Sequence, residues 1–138
     1  MTSPVSRVKA ANSEAALAHF QQLLTFKTDC WDVHFSIANN RQDFILLDVR
    51  AETVFQQGHI AGAINLPHQK IKEDTLANYP EDTLFVVYCA GPHCNATEKA
   101  AIRLATLGRP VKKMIGGAVG WLDEGFHLVT AEAKEAHL

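Results

Sequence analysis

Two thiols stand five positions apart in the stretch VVYCAGPHCNATEKAAIRLATLG, Val86 to Gly108, where an apolar run gives way to a helical pattern. Cysteine acts as a nucleophile through its thiolate, and the surroundings of Cys89 suit that form. Gly91 admits backbone angles closed to other residues and Pro92 fixes one φ, so the loop Ala90, Gly91, Pro92, His93, Cys94 and Asn95 can curl around a central point. If the next helix starts near Asn95 or Ala96, the loop amides and the helix N-terminus together form a nest for an anion. Such a nest lowers the pKa of Cys89 and makes it a candidate for covalent catalysis. The competing reading is a buried core thiol, the usual fate of a free cysteine. A strand end followed by a glycine-containing loop and a helix favours chemistry.

The elements that must hold this loop are legible on either side of it. LFVVYC, Leu84 to Cys89, and FILLDV, Phe44 to Val49, are continuous apolar runs ending at a reactive or charged residue, the pattern of strands buried on both faces. PVKKMIGG predicts a third strand after a helix over Thr97 to Leu107, and AINLP a shorter one beside the turn GHIAG. Strands alternating with helices predict an α/β fold with a mostly parallel central sheet, in which ligands bind beyond the carboxyl ends of the strands. Asp48 and Cys89 both fall there. Upstream, Ala15, Leu17, Ala18, Phe20, Leu23 and Leu24 form an apolar stripe at helical spacing, with Asn12 or Ser13 as cap, and predict a packing helix. A second helix is expected over about Asp32 to Ala38, capped by Asp29 and ended by the polar turn NNRQD.

Composition narrows the function classes. The chain has 138 residues with 13 basic and 15 acidic side chains, net −2, and no long run of either sign, which argues against a nucleic-acid or anionic-membrane binder. One domain of this length buries roughly 70% of its unfolded surface and needs no metal or disulfide staple. Apolar runs are too short to span a bilayer. Two basic residues without an apolar core or cleavage site make the N-terminus a leader rather than an export signal, and a cytoplasmic location is expected. Three cysteines, Cys30, Cys89 and Cys94, are too few for a secreted disulfide framework. The expected organisation is a flexible leader over 1–12, a helical extension over 13–40 packed on the domain, the domain itself over 41–130, and a tail over 131–138.

The chain resembles a single-domain rhodanese, a sulfurtransferase fold. The resemblance rests on Asp48-Val49-Arg50, Glu52, Phe55, GHIAGAINLP from Gly58 to Pro67, the Cys89 stretch, and MIGGAVGWLDEGF from Met114 to Phe126, in order from about Phe44 to Val129. FKTDCWDVH, Phe26 to His34, also resembles a subgroup with a helical N-terminal extension. The resemblance implies a three-layer rhodanese-like domain with helices flanking the sheet and Cys89 as catalytic cysteine. It further implies transfer of a sulfane sulfur from thiosulfate or a persulfide to a thiol or cyanide through a Cys89 persulfide, without cofactor or metal. The partners so implied are a small sulfur donor and a thiol acceptor, with a protein persulfide donor as a further option, and neither nucleic acid nor membrane. A non-catalytic binding module and a dithiol redox enzyme using Cys89 and Cys94 are the alternatives.

This loop departs from the pattern of the family it resembles. Many active members carry Arg or Lys where this chain has Cys94, and glycine in place of Pro92. Without a cation between Cys89 and Asn95, dianionic thiosulfate loses an electrostatic partner. Lys99 and Arg103, one or two turns along the following helix, offer partial support, and a persulfide donor fits better. Related phosphatases and arsenate reductases end a longer loop with arginine where Asn95 stands, so phosphate chemistry is not expected. Two roles are open to Cys94: it resolves or guards the Cys89 persulfide through a disulfide, or it packs inward as a small helix-start residue. Asp48, Arg50 and Glu52 match the family's charged signature and are expected to form a network supporting the loop. His59 and His93 lack the second ligand pair that structural zinc needs, so no metal is expected; His93 either donates to an anion or is solvated. Gly116 and Gly117 predict a tight turn before a helix anchored by Trp121, and Cys30 and Trp31 are read as packing.

Overall fold

The computed structural model describes residues 1–130; the tail expected over 131–138 lies outside the described residues. Among the described residues five strands form one sheet: β1 (Lys27–Thr28), β2 (Ile45–Asp48), β3 (Ile64–Asn65), β4 (Phe85–Tyr88) and β5 (Val111–Met114). Their spatial order is β1-β5-β4-β2-β3, and every pairing is parallel. The apolar runs read from the sequence are the central strands β4 and β2, paired in register from Ile45 opposite Phe85 to Asp48 opposite Tyr88. The edge strand β1 was not expected, because Lys27 and Thr28 show no apolar run.

Strand alternation divides the core in two. On one face Leu46, Val86, Tyr88 and Met114 pack against α3 (Cys30–Ala38) and α6 (Gly117–Asp123) through Cys30, Val33, Ala118 and Trp121. On the other, Leu47, Phe85, Val87 and Cys89 pack against Ala100 and Leu104 of α5 (Ala96–Thr106), with Ile71 and Leu76 beside them. Both faces are therefore covered, giving the three layers that an all-parallel sheet requires. α3 begins where Asp29 caps it, its carboxylate accepting the Asp32 N–H at 2.8 Å.

The expected packing of the whole 13–40 extension needs correction. α3 packs on the sheet through Cys30 and Val33, while Trp31, expected to pack, is 60% exposed, and β1 adds a strand to the sheet. The helix α2 (Ser13–Leu23) forms with Asn12 as cap, yet it contains no buried residue, and Leu17 and Phe20 are 60% and 63% exposed. Helical spacing reports an apolar stripe, not a surface to receive it, and α3, α6 and α5 already occupy the sheet faces. Within residues 1–12, expected to be a flexible leader, one exposed helical turn forms, α1 (Pro4–Arg7), capped by Ser3. No helix among the described residues is long and apolar enough to cross a membrane.

Candidate active site

Cys89 follows the last residue of β4, in the middle of the sheet, and only 5% of its surface is exposed. Its Sγ is bonded to Sγ of Cys94, with the two Cα atoms 6.4 Å apart. The structure thus holds the oxidised state of the loop. Cys94 N–H donates to the Gly91 carbonyl at 3.2 Å, so the chain between the cysteines turns back on itself. Among the described residues the N–H groups of Ala90, Gly91, His93 and Asn95 have no protein acceptor. α5 begins beyond them, and Asn95 gives its first turn no side-chain cap.

The direction of the loop peptides is set from α6. Ala118 N–H donates to the Cys89 carbonyl at 2.9 Å and Val119 N–H to the Ala90 carbonyl at 2.8 Å. α6 has no side-chain cap, so these loop carbonyls satisfy its first amides. In a trans peptide the N–H points opposite the carbonyl, and no described peptide is cis. The N–H groups of Ala90 and Gly91 are consequently aimed away from α6. The Gly116-Gly117 turn makes this approach feasible: Gly117, at φ +63°, sits where a β-carbon would lie 2.5 Å from the Cys89 carbonyl oxygen. The tight turn predicted at Gly116 and Gly117 forms, and its neighbour is the Cys89 loop.

An open cleft of about 510 Å³ is lined by both cysteines and Ala90, by Arg50, Glu52 and Val54, and by Pro67 to Lys70. Asp48 and Arg50 form a buried pair beneath it. Arg50 Nε and Nη2 donate to the two carboxylate oxygens of Asp48 at 2.9 and 2.6 Å, and Nη2 also donates to the Gly58 carbonyl. Burial works against the Arg50 charge, but the hydrogen bonds and field of Asp48 outweigh it and raise the guanidinium pKa further. Asn65 Nδ2 donates to the carbonyls of Asp48 and Arg50, tying β3 to the same corner. Tyr88 completes it: its hydroxyl accepts the Ile60 N–H at 3.1 Å, and burial, then Asp48, pushes its pKa up.

Glu52 does not join this network. It is exposed at the start of α4 (Glu52–Gln57), bonded to Gln56, and forms part of the cleft rim. The Asp48 carboxylate is already saturated by Arg50, which leaves a second acid no reason to be buried there. Lys99 and Arg103 are exposed on α5 and do not line the cleft; their charge acts on His68, which does. Burial first, then these two cations, hold the His68 imidazole below its ordinary pKa. Its Nδ1 is buried without a hydrogen-bond partner among the described residues. His93 and Pro92 are exposed at the loop tip, and His59 is buried with Nδ1 2.8 Å from the Phe55 carbonyl.

Three residues of the site escaped the sequence reading. His68 follows AINLP without a pattern of its own, and the Tyr88 hydroxyl is hidden in an apolar run. Lys113 lines a small cavity behind Cys89 with Thr97 and Gly117, its ammonium paired with Glu98. Cys30 is remote from the cleft: its thiol donates to the Ile115 carbonyl, and burial, then Asp29 and Glu124, pushes its pKa to about 11.

A three-layer parallel sheet with a cysteine-bearing loop between β4 and α5 defines the class. Residues 35–124 match the rhodanese-like domain family, and the chain belongs to it. The BH2092 protein from Bacillus halodurans is 33% identical, its crystal structure superposing with a TM-score of 0.84 over 90% of each chain. The HTH-type transcriptional regulator Rv0324 of Mycobacterium tuberculosis is 37% identical over 86 residues, 58% of this chain and 38% of that protein. The adenylyltransferase and sulfurtransferase UBA4 of Candida albicans is 33% identical over 98 residues, 64% of this chain and 22% of its own length. The chain thus spans well under half of each of these two relatives.

Proposed function

We propose that the protein is a sulfurtransferase whose carrier is Cys89. The observation that supports this reading is the position of Cys89 at the end of the central strand, inside a loop whose amides at Ala90, Gly91, His93 and Asn95 have no protein acceptor. The loop is first reduced by a thiol, which takes the disulfide apart and frees the Cys89 thiolate. That thiolate attacks the outer sulfur of a donor; the donor's sulfur–sulfur bond breaks, and the remaining thiolate or sulfite departs with the electron pair. Cys89 then carries a persulfide anion, stabilised by backbone N–H groups and the α5 N-terminus in place of a charged side chain. An acceptor thiolate or cyanide takes the outer sulfur in the second displacement and restores the Cys89 thiolate.

The nearby cations favour a monoanionic persulfide donor over thiosulfate. Arg50 is committed to Asp48 and Lys113 to Glu98, while Lys99 and Arg103 act from outside the cleft lining. The open cleft between Val54 and Lys70 suits the approach of a thiol acceptor. The test is steady-state sulfur transfer by reduced protein from glutathione persulfide, and separately from thiosulfate, to cyanide, read as thiocyanate. Transfer that disappears in Cys89→Ser supports the reading, with the persulfide used at least about ten-fold more efficiently. Transfer by neither donor favours a binding module on the same fold.

A further inference from the structure

A sulfur carrier needs one thiol, and this cleft holds two. The separation of 6.4 Å between the Cα atoms of Cys89 and Cys94 lies within the about 4.4–6.8 Å that disulfides span. Their sulfurs are bonded while β4, α5 and the amide contacts from α6 are all in place. Cys94 therefore reaches Cys89 Sγ itself within the folded site. Both residues line the same open cleft, so a group expelled from Cys89 has a way out. Cys30 cannot serve, because it is buried against the opposite face of the sheet.

The geometry points to a second reaction, which rests on the Cys89 persulfide proposed above: Cys94 discharges that persulfide as sulfide. The Cys94 thiolate attacks Cys89 Sγ and forms the Cys89–Cys94 bond. The proton that Cys94 gives up passes to the outer sulfur of the persulfide, and as the bond from Cys89 Sγ to that sulfur breaks its electron pair leaves with it as hydrosulfide. The sulfane sulfur gains two electrons and the dithiol loses the same two. An external thiol of the glutathione or dithiol class then reduces the disulfide, its own sulfurs becoming the new disulfide, and both cysteines are restored. Hydrogen sulfide is more acidic than an alkyl thiol, so hydrosulfide leaves more readily than an alkyl thiolate, and the loop amides stabilise its charge as it departs. Each loaded sulfur is thus divided between an acceptor thiol and release, and Cys94 sets the ratio.

The experiment uses the full chain, reduced with a phosphine, desalted, and mixed with one equivalent of glutathione persulfide and no other thiol. Sulfide is trapped with bimane, and the protein is read by intact mass and peptide map. Wild type is expected to release about one sulfide per chain and to end lighter by two hydrogens, with Cys89 linked to Cys94. Cys94→Ser and Cys94→Ala are expected to retain one added sulfur on Cys89 and to release at least about ten-fold less sulfide. A wild type that keeps its added sulfur as stably as these variants, or carries it on Cys94, overturns the proposal and leaves sulfur transfer standing. If neither wild type nor the Cys94 variants take up sulfur, the transfer reading fails and this one with it.

Discussion

Gly117 is packed against the peptide that leaves Cys89: a β-carbon on it would stand 2.5 Å from the Cys89 carbonyl oxygen and 2.8 Å from the Gly91 nitrogen. The turn before α6 and the Cys89 loop are therefore one unit. At φ +63° a side chain at Gly117 costs about 1–2 kcal/mol before any overlap. Gly117→Ala is expected to lose at least about 2 kcal/mol of stability and, by displacing the loop, to slow sulfur transfer about 100-fold. Urea denaturation alongside the transfer rate of the folded fraction checks both. A variant with full activity would show that the α6 contacts do not position the loop.

The Asp48–Arg50 pair is buried and saturated, whereas Glu52 is exposed, so their neutral variants separate sharply. Asp48→Asn leaves the Arg50 guanidinium without its carboxylate and is expected to cost about 3 kcal/mol. Glu52→Gln should stay within about 0.5 kcal/mol of wild type. Denaturant midpoints at constant m-value measure the difference. Equal losses in the two variants would return Glu52 to the supporting network.

His68 gives the cleft a pH-dependent wall. Its pKa is lower in the folded chain than the ordinary value of about 6.5, so between the two values the unfolded chain binds more protons. Stability is expected to rise with pH through that window and level off above about 6.5, with a slope of at most about 1.4 kcal/mol per pH unit from this group. His68→Gln removes that part of the slope. Superimposable stability–pH curves for the two proteins would refute the assignment. Titration of the imidazole by NMR in Lys99→Gln and Arg103→Gln should show its pKa move upward.

Closing a loop between residues five positions apart removes few unfolded conformations, and the chain-entropy relation gives about 2 kcal/mol for it. Reduction is expected to lower the stability of wild type by that amount and to leave Cys94→Ser unchanged. Paired denaturation curves with and without a phosphine read this directly.

What the sequence made legible were the parts specified by neighbours along the chain. Continuous apolar runs placed β2 and β4, and capping residue types at Asp29 and at Asn12 or Ser13 placed two helix starts, the second of which Asn12 caps. β1 was not legible, because Lys27 and Thr28 become a strand only when Lys113 and Met114 lie beside them. The α2 stripe fails to predict burial for the converse reason: Leu17 and Phe20 show periodicity and meet no receiving surface. At the site, Cys89 and its loop stood out by residue type and setting, and Asp48 and Arg50 by their match to the family's charged signature. The exclusion of Glu52, the place of His68 and the contact of Gly117 with the Cys89 peptide depend on distances between segments far apart in sequence.

The all-parallel order also governs how the chain arrives at this state. Lys27 must find Lys113, and Ile45 must find Phe85, each across an intervening crossover, before any ladder bond rewards the search. Topologies with such distant pairings fold slowly. The link between Cys89 and Cys94 spans only a few residues and can close in the unfolded chain. A nascent polypeptide in an oxidising medium would then enter the sheet with its loop already crosslinked, and a thiol would have to open that link across the cleft before Cys89 is free.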